Sequence, residues 1–383
     1  MPQLNILHVF RAPLGGLFRH VLDLVQGQIA RGHKVGLVFD NLTGDARSAA
    51  AVAALLPQLA LGMSTVAMPR QLNANDVRAL AHVSRRVRDS GAGVVHGHGA
   101  KGGAYARLAV AGRPIVRAYT PHGGSLLLDH ARLSGRAYLA LERMLMQRGD
   151  LYLFESAFSA DVFGRKIGAP RGLVRVVPNG VSRAEFTPVP ITEDATDIVF
   201  VGEFRRVKGI DVLIEAIASL HALGSPLTAT LVGDGPERAA LRGLVAEKDL
   251  DRSIRFAPAM PMRQALALGR LMVLPSRAES FPYVVLETAA AGRPMITTAV
   301  GGVPEIYGGL SKALVRPDDP ATLAAAIATV MCEPDQAIAL ADALRTRVAD
   351  RFSVDAMVDG VISGYRQAID GAPLMSRQVW LRA

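Results

Sequence analysis

Short apolar runs alternate with longer stretches of helical periodicity along the first half of the chain. The apolar runs predict strands at residues 4–10, 34–39, 93–96, 115–118, 150–154 and 174–177. The stretches between them predict helices at residues 17–31, 76–90, 101–111 and 134–148. Nearly continuous apolar strands separated by helices are typical of a parallel sheet that is covered on both faces.

A second series of the same kind follows a polar segment. Residues 182–196 are rich in Pro, Glu, Asp and Thr and lack apolar periodicity, which predicts a linker. Strands are then predicted at residues 197–202, 227–232, 254–257, 271–274, 295–298 and 313–315, again alternating with helices. We therefore expect two Rossmann-like α/β domains facing a cleft, with ligands bound beyond the carboxyl ends of the strands.

The size and composition of the chain agree with two domains in a reducing compartment. Its 383 residues, half of them apolar, exceed the ~100–200 residues of an average domain. No run approaches the ~18 uncharged apolar residues of a membrane-spanning helix. Residues 1–10 lack the basic region and cleavage site of a secretory signal, so a cytoplasmic protein is expected. The single Cys332 allows no internal disulfide.

The charge pattern favours anionic partners. The formal net charge of +9 suits phosphates, nucleic acid or an anionic membrane surface. Basic residues are scattered, aromatic residues make up only 5% of the chain, and no nucleic-acid-binding module is recognisable. We therefore expect no nucleic-acid partner and a peripheral association with an anionic cytoplasmic leaflet.

The most informative segment runs from Glu279 to Glu287, with the sequence Glu-Ser-Phe-Pro-Tyr-Val-Val-Leu-Glu. One carboxylate falls on a strand-to-helix turn and the other falls one turn into the following helix. Pro282 suits the first helical position, and the next three N–H groups are expected to bind an anion such as a diphosphate. Those groups belong to Tyr283, Val284 and Val285. Carboxylates beside a phosphate make sense where they accept hydrogen bonds from sugar and ribose hydroxyls, so the pattern predicts a nucleotide-sugar site.

The same segment carries a family resemblance. Residues 275–294, Pro-Ser-Arg-Ala-Glu-Ser-Phe-Pro-Tyr-Val-Val-Leu-Glu-Thr-Ala-Ala-Ala-Gly-Arg-Pro, resemble the E-x7-E signature of retaining glycosyltransferases of family 4. The spacing of two glutamates alone is weak, because any Glu-rich helix supplies it. The Ser-Phe-Pro, the Ala-Gly-x-Pro and the Val-Gly-Gly-Val-Pro-Glu at residues 300–305 make the match specific.

The resemblance implies a GT-B fold and assigns roles within it. It implies an acceptor-binding domain at residues 1–185 and a donor-binding domain at 190–352, with residues 353–383 carrying a helix that returns to the first domain. Glu287 is expected to hold the ribose hydroxyls and Glu279 the sugar. The sugar pocket is expected to be lined by Ser280, Phe281 and Pro282.

A basic turn after the first strand of the second domain is the expected diphosphate site. It runs Gly-Glu-Phe-Arg-Arg-Val-Lys-Gly from Gly202, and Lys208 matches the family's Lys before the second Gly. Glu203 stands where many relatives place Arg, so the Arg role falls to Arg205 or Arg206, with Arg205 preferred. Cations here would stabilise the leaving diphosphate, and a solvated basic turn is the alternative.

Two further features concern the nucleotide side of the site. Gly233 and Gly235 lie in a Gly-Asp-Gly-Pro turn that resembles the family's turn on that side. No Asp-x-Asp follows a strand, so cationic and helix-terminal groups are expected to replace a metal, with no cofactor beyond the donor substrate.

Two loops of the first domain carry candidates that contact the substrates. Tyr-Thr-Pro-His-Gly-Gly-Ser at residues 119–125 resembles the family's His loop, so His122 is expected to contact the donor sugar near its reactive carbon. A Gly pair at the start of the first helix is expected to let a phosphate approach, with a basic side chain and a His behind it. These residues are Gly15, Gly16, Arg19 and His20. An ordinary strand-to-helix turn is an equal alternative for them.

A third loop, Val-His-Gly-His-Gly-Ala-Lys-Gly at residues 95–102, is expected on the acceptor side through His98 and Lys101. Its His96 and His98 have no Asp, Glu or Cys at ligand spacing, so no metal site is predicted.

These features together predict a retaining hexosyltransferase with a nucleotide-diphosphate sugar as donor. Residues 8–20 and 119–125 resemble bacterial family 4 enzymes of exopolysaccharide synthesis, which implies a polyprenyl-diphosphate-linked glycan as acceptor at the inner face of the plasma membrane. Two alternatives keep the same fold: a non-catalytic nucleotide-sugar-binding scaffold and a nucleotide-sugar 2-epimerase. An NAD-dependent oxidoreductase is disfavoured, because the G-x-G-x-x-G fingerprint is absent.

Overall fold

A computed structural model describes residues 2–123 and 133–371. The described residues divide into two compact units, one within Met1–Asn179 and Val354–Ala383 and the other Gly180–Ser353. The division falls after Asn179 and Ser353, against predicted boundaries at residues 185 and 352. Of the predicted returning segment, residues 372–383 lie outside the described part.

The described residues of the first unit form a seven-stranded parallel sheet flanked by helices. The strands are β1 (Asn5–Phe10), β2 (Lys34–Phe39), β3 (Met63–Thr65), β4 (Val94–His98), β5 (Val116–Thr120), β6 (Leu151–Phe154) and β7 (Leu173–Val176). The helices are α1 (Gly15–Ala30), α2 (Ala46–Leu55), α3 (Asn75–Asp89), α4 (Gly99–Leu108), α5 (Leu133–Leu145), α6 (Ala157–Lys166) and, from the C-terminal segment, α14 (Val354–Ile369). The strand order is β3-β2-β1-β4-β5-β6-β7. The order reverses between β1 and β4, and such a reversal opens a crevice at the carboxyl ends of the strands.

Helix α14 completes the core of the first unit. Its residues Val358 and Ile362 are buried with Leu24 of α1 and Leu151 of β6. A Cβ at Gly27 would lie 2.5 Å from Val358 Cγ2, so this glycine allows α1 and α14 to pack closely.

The second unit repeats the design on a smaller scale. Its strands are β8 (Thr196–Val201), β9 (Ala229–Val232), β10 (Ile254–Ala257), β11 (Gly269–Leu274) and β12 (Met295–Thr297), in the order β10-β9-β8-β11-β12. Its helices are α7 (Ile210–Ala222), α8 (Arg238–Glu247), α9 (Met262–Leu266), α10 (Tyr283–Ala290), α11 (Val303–Tyr307), α12 (Pro320–Cys332) and α13 (Pro334–Arg351). All described strand pairs are parallel, and the order reverses between β8 and β11.

The α/β fold class is confirmed, and the main errors concern weak elements. Helices α2 and α6 and the short edge strand β3 had no predicted counterpart. The predicted strand at residues 313–315 is wrong, because Ala313 ends a 3-10 helix (Gly308–Ala313) and Val315 forms only an isolated bridge to Thr298. The predicted linker at 182–196 contains a 3-10 helix (Arg183–Phe186) and the first residue of β8.

Among the described helices, none taken singly has both the length and the apolar character needed to cross a membrane. Helices α12 and α13 meet these criteria only as a pair, with a bend of 101° between them.

Candidate active site

The loops that follow β8 and β11 bring Lys208 and Glu279 into contact. Lys208 Nζ lies 2.6 Å from Glu279 Oε1, and Ser276 Oγ donates to the same oxygen at 2.7 Å. The Lys208 and Glu279 side chains are 23% and 12% exposed, so the pair is largely shielded from water but open to a ligand. Both residues were predicted in one site, whereas their ion pair and the contribution of Ser276 were not.

Close contacts between main chains hold Glu279 in place. Gly301 has φ +58°, and a Cβ there would lie 1.9 Å from the Glu279 carbonyl oxygen. Gly302 N–H donates to the Ser280 carbonyl at 2.7 Å. Gly209, with φ +66°, approaches the Pro275 carbonyl in the same way. Only glycine tolerates such a backbone conformation at such a distance, so the Gly-Gly-x-Pro-Glu motif acts here by shaping the Glu279 loop.

Arg277 links the basic loop that carries Lys208 to the loop that carries Glu279, a role that was not predicted from the sequence. Its guanidinium donates to both carboxylate oxygens of Asp211 at 2.8 and 2.7 Å and also pairs with Asp318. Its Nη1 donates to the Arg206 carbonyl at 2.6 Å. The bidentate geometry fixes the loop before Lys208 against the loop that carries Glu279.

The start of α10 differs from the prediction in two respects. Pro282 precedes the helix, with φ −74° and ψ 123°, and the first helical residue is Tyr283. The Val285 N–H donates to the Pro282 carbonyl at 3.2 Å, so it is engaged within the turn rather than available to an anion as predicted.

The predicted sugar-pocket residues divide between surface and core. Ser280 is partly exposed and Pro282 is buried. Phe281 is 4% exposed, and its ring lies 5.5 Å from that of Phe352 in the apolar core. The Phe281 ring therefore packs beneath the loop, and its side chain does not line a surface pocket. Glu287, the predicted ribose ligand, is partly exposed.

Arg205 and Arg206 remain exposed on the basic turn. Arg205 Nη1 lies 3.6 Å from Glu203 Oε2, and both side chains are close to half exposed. The neighbouring glycines have a structural explanation. A Cβ at Gly233 would lie 1.9 Å from the Gly202 carbonyl oxygen, and one at Gly235 would lie 2.5 Å from the Phe204 carbonyl oxygen.

The first unit contains a buried cluster of five histidines. Strand register places His8 of β1 beside His96 of β4, and His98 follows two residues later on the same face. His20 comes from α1 and His122 from the loop after β5. We call His8, His20, His96, His98 and His122 the histidine cluster. His20, His98 and His122 were predicted site residues, whereas His8 was not. His96 was noted only in its His-x-His pair with His98 and was given no role.

A chain of hydrogen bonds crosses the cluster from Gln28 to Glu155. Gln28 Oε1 lies 2.8 Å from His8 Nε2, and His8 Nδ1 lies 2.9 Å from His98 Nε2. His98 Nδ1 lies 3.1 Å from His122 Nε2, and His122 Nδ1 lies 2.7 Å from Glu155 Oε1. Glu155 follows β6 and is only 2% exposed, so its carboxylate is a buried partner of His122.

The other two histidines, His20 and His96, form hydrogen bonds with residues outside this chain of contacts. His20 Nδ1 lies 2.9 Å from Asn179 Oδ1. His96 contacts the Tyr365 hydroxyl at 2.7 Å through Nδ1 and Thr120 Oγ1 at 2.8 Å through Nε2.

Burial keeps most of these rings neutral. Desolvation lowers the pKa of His8 to about 4, although its hydrogen bond to Gln28 acts in the opposite direction. Desolvation, followed by the charge of neighbouring histidines, lowers the pKa of His20, His96 and His98 well below the usual value.

His122 has a backbone conformation that is uncommon for a side-chain-bearing residue. Its φ of +52° lies in the left-handed region, between Pro121 and Gly123. Such conformations persist where the surroundings enforce them, and they are concentrated at functional sites. The hydrogen bonds to Glu155 and His98 are the local constraints on the ring.

The remaining acceptor-side candidates lie at the start of α1 and in α4. Gly15, with φ +64°, opens α1 as predicted, next to Gly16. Arg19 Nε lies 3.2 Å from Asp23 Oδ2. Lys101 is buried and pairs with Asp76, which also accepts from the Tyr105 hydroxyl. The charge of Lys101 is therefore balanced inside the first unit rather than directed at a ligand.

Comparison with known proteins relates both units to one group of enzymes. Residues 14–185 match the model of Glycosyltransferase Family 4, and residues 195–333 match that of Glycosyl transferases group 1. D-inositol 3-phosphate glycosyltransferase 1 of Catenulispora acidiphila is 30% identical over 308 residues, which cover 73% of each chain. Other relatives of that name are matched over about half of their length.

Solved structures show the same fold. Sucrose-phosphate synthase from Thermosynechococcus elongatus superposes with a TM-score of 0.79 at 22% identity, covering 97% of this chain and 100% of that one. Anabaena HepE in complex with UDP and glucose gives a TM-score of 0.78 at 19% identity, covering 94% and 99%. With its two parallel sheets and these sequence matches, the chain belongs to the family 4 glycosyltransferases of the GT-B fold.

Proposed function

We propose that the protein transfers a hexose from a nucleotide-diphosphate sugar to an acceptor hydroxyl with retention of configuration. The observation that carries this proposal is the contact of Lys208 with Glu279 at the carboxyl ends of β8 and β11. An ammonium has three donor hydrogens, so Lys208 can hold Glu279 and still donate to a phosphate oxygen. The diphosphate gains negative charge as it leaves, and a preorganised cation accelerates that step.

The other residues of the second unit support the same reading. Ser276 and Lys208 fix one oxygen of Glu279, which orients the carboxylate toward hydroxyl groups of a sugar. Glu287, one turn into α10, is proposed to hold the ribose, and the exposed Arg205 or Arg206 to add positive charge beside Lys208. These cations take the place of a divalent metal at the diphosphate.

The nucleotide sugar as donor is supported by a structural relative. Anabaena HepE, which shares the fold, was solved with UDP and glucose. UDP-glucose is therefore the first donor to test. GDP- and ADP-sugars follow, because none of the residues named above is proposed to contact the nucleotide base.

The acceptor is proposed to carry a phosphate. Several relatives are named for D-inositol 3-phosphate, although others are named glycogen synthase or 2-deoxystreptamine glucosyltransferase. The predicted lipid-linked glycan carries a diphosphate, so it shares an anionic group with D-inositol 3-phosphate. The net charge of +9 suits such acceptors, and it also suits peripheral association with an anionic membrane face. A polyprenyl-diphosphate-linked glycan in exopolysaccharide synthesis remains our specific proposal.

Donor binding is tested by thermal unfolding with a panel of UDP-, GDP- and ADP-sugars. A donor at 100 times its Kd stabilises the native state by about 2.7 kcal/mol, which gives a clear rise in Tm. Glu287→Ala should abolish the rise, while Glu247→Ala, an exposed glutamate on α8, should keep it. A wild-type protein that responds to none of the donors would contradict the proposal.

Transfer is then tested with two acceptor arms, D-inositol 3-phosphate and a polyprenyl-diphosphate-linked sugar. NMR of the product gives its anomeric configuration, and inversion would refute the retaining mechanism. Incubation with donor alone tests the main rival, because a 2-epimerase would release an epimerised sugar without any acceptor. Binding of donor with no product in either arm would favour the non-catalytic scaffold.

A further inference from the structure

The hydrogen-bond chain across the histidine cluster ends in an acceptor on both sides. Gln28 presents Oε1 to His8 Nε2, and Glu155 presents a carboxylate oxygen to His122 Nδ1. With the Gln28 amide oxygen turned to His8, as in this structure, both outer nitrogens carry hydrogen. His8 Nδ1 is then bare and accepts from His98 Nε2–H, which leaves His98 Nδ1 bare as well, since a neutral imidazole has one N–H.

The contact in the middle of this hydrogen-bond chain, between His98 and His122, consequently joins two nitrogens that carry no hydrogen. A neutral His122 with hydrogen on Nδ1 has a lone pair on Nε2, which faces His98 Nδ1 at 3.1 Å. Lone pairs at this distance repel each other, so the chain lacks one positive charge at this point. Either a proton or a metal ion between the two nitrogens supplies it.

His20 distinguishes between these two cations. Its Nδ1 faces Asn179 Oδ1 and therefore carries hydrogen, which leaves Nε2 bare. That Nε2 is buried and has no hydrogen-bond partner among the described residues. A proton shared by His98 and His122 leaves it unsatisfied, whereas a metal ion satisfies all three rings. One ring nitrogen from each of the three lies within 4.8 Å of the others.

We propose that His20 Nε2, His98 Nδ1 and His122 Nε2 bind a divalent transition-metal ion of the zinc class. Zn–N bonds of ~2.0–2.1 Å in a tetrahedral site separate the nitrogens by about 3.3 Å. The 3.1 Å between His98 and His122 lies close to that value. Three protein ligands leave a fourth position for water or an oxygen of a ligand, on the side of His122, the least buried member.

The surroundings of the three rings are those of a metal site. The second nitrogen of each ring faces an acceptor: Asn179 Oδ1 for His20, His8 Nδ1 for His98 and Glu155 Oε1 for His122. Such partners fix the tautomer and orientation of metal-bound histidines, and the carboxylate partner raises ligand basicity. The sequence predicted no metal site because no acidic residue or Cys accompanies the His-x-His pair. In the folded unit only His98 of that pair is a proposed ligand, and the other two come from α1 and from the loop after β5.

The test uses the full chain, stripped with a chelator, incubated with ZnCl2 and freed of excess metal. Elemental analysis should find one zinc per chain in the wild type and none in His20→Gln or His98→Gln. Glu155→Gln should bind zinc about 10–100-fold more weakly, because it loses the charged partner of His122. His82→Gln on α3, outside the cluster, should bind like the wild type. Co2+ in place of zinc should give the visible absorption of a tetrahedral site.

Two results would overturn the proposal: a wild type that retains no zinc, or zinc that His20→Gln retains in full. If the His variants fail to fold, 15N NMR of histidine-labelled wild type still distinguishes a bound zinc ion from a shared proton. Zinc should shift the ring nitrogens of His20, His98 and His122, whereas a doubly protonated ring that zinc leaves unchanged would assign the site to a proton. Donor binding depends on residues of the second unit, so its failure would be distinguishable from failure of the metal site.

Discussion

A Cβ on Gly301 would lie 1.9 Å from the carbonyl oxygen of Glu279, so the Gly-Gly-Val-Pro-Glu loop is in main-chain contact with the loop that presents the first glutamate. Gly301→Ala should therefore displace Glu279. Donor affinity should fall at least tenfold, and the free energy of unfolding should fall by at least about 1–2 kcal/mol, the strain of a left-handed Ala. Thermal shift with the donor and urea unfolding measure the two effects.

Gly224→Ala is the matched control for this variant. Gly224 also has positive φ, at +77°, but no atom lies within 4 Å of its added Cβ. The control should lose similar stability and keep donor affinity. Equal loss of donor affinity in both variants would show that strain alone, rather than contact with Glu279, is responsible.

Lys208→Met should keep the fold and lose most of the transfer rate. The methionine retains the apolar stem but removes the cation that contacts Glu279. Loss of one preorganised donor to developing charge lowers kcat by about 10²–10³-fold. Steady-state kinetics check this, with Lys312→Met as an exposed control in the same unit. A kcat within a few-fold of the wild type would remove Lys208 from the mechanism.

Arg277→Lys should destabilise the second unit although it preserves charge. A lysine cannot donate to both oxygens of Asp211 and also reach the Arg206 carbonyl. Asp211 is 41% exposed, so solvent screens the pair and the expected loss is only about 1–2 kcal/mol. The urea midpoint should fall with an unchanged m-value, while exposed Arg252→Lys should match the wild type. Wild-type stability in Arg277→Lys would mean that the hydrogen bonds which lysine cannot form, to the second Asp211 oxygen and to the Arg206 carbonyl, contribute nothing to the free energy of unfolding.

The ionised Asp76 carboxylate should stabilise the folded protein at neutral pH, and this stabilisation should be lost in acid. Burial alone raises the pKa of Asp76, but the hydrogen bonds from Lys101 and Tyr105 outweigh it and hold that pKa below the usual value. A carboxylate with a depressed folded pKa stabilises fully above about pH 5, one unit above its unfolded value of ~3.9, and this contribution is lost as pH falls through the folded pKa.

The difference between wild type and Asp76→Asn isolates this group from the rest of the protein. In urea unfolding the variant should be less stable by roughly 2 kcal/mol at pH 7, and the gap should narrow below pH 4. Asp89→Asn, an exposed residue at the end of the same helix, should show no gap. A gap that stays constant down to pH 3 would mean that the carboxylate charge is not the source.

The central strands were predictable because a strand that is buried on both faces requires a continuous run of apolar residues, and such a run is a local mark in the sequence. Strand β2 was predicted with its observed ends, since its apolar run is bounded by polar residues. Helix α2 lacked such a mark: its residues are mostly small alanines. Its start was nevertheless encoded by Asp45 and Ser48, whose side chains each accept from the other's backbone N–H.

The errors within the site have a common cause. Pro282 lies before α10 rather than in it, and Phe281 lies in the core, because packing against Phe352 decides which way the loop turns. Sequence neighbours of a functional residue share its loop, but they do not share the direction of its side chain.

By itself, the sequence determined the α/β class, the tandem arrangement of sheets and the segment that carries Glu279 and Glu287, because periodicity and motif spacing are local properties. Only the tertiary structure decided that Lys208 binds Glu279, 71 residues away, and that Glu155 binds His122. It also decided that histidines from α1, β4 and the loop after β5 meet in one buried cluster. Parallel strands bring their carboxyl ends to one edge whatever lies between them in the chain, so these contacts depend on strand order, which no local pattern records.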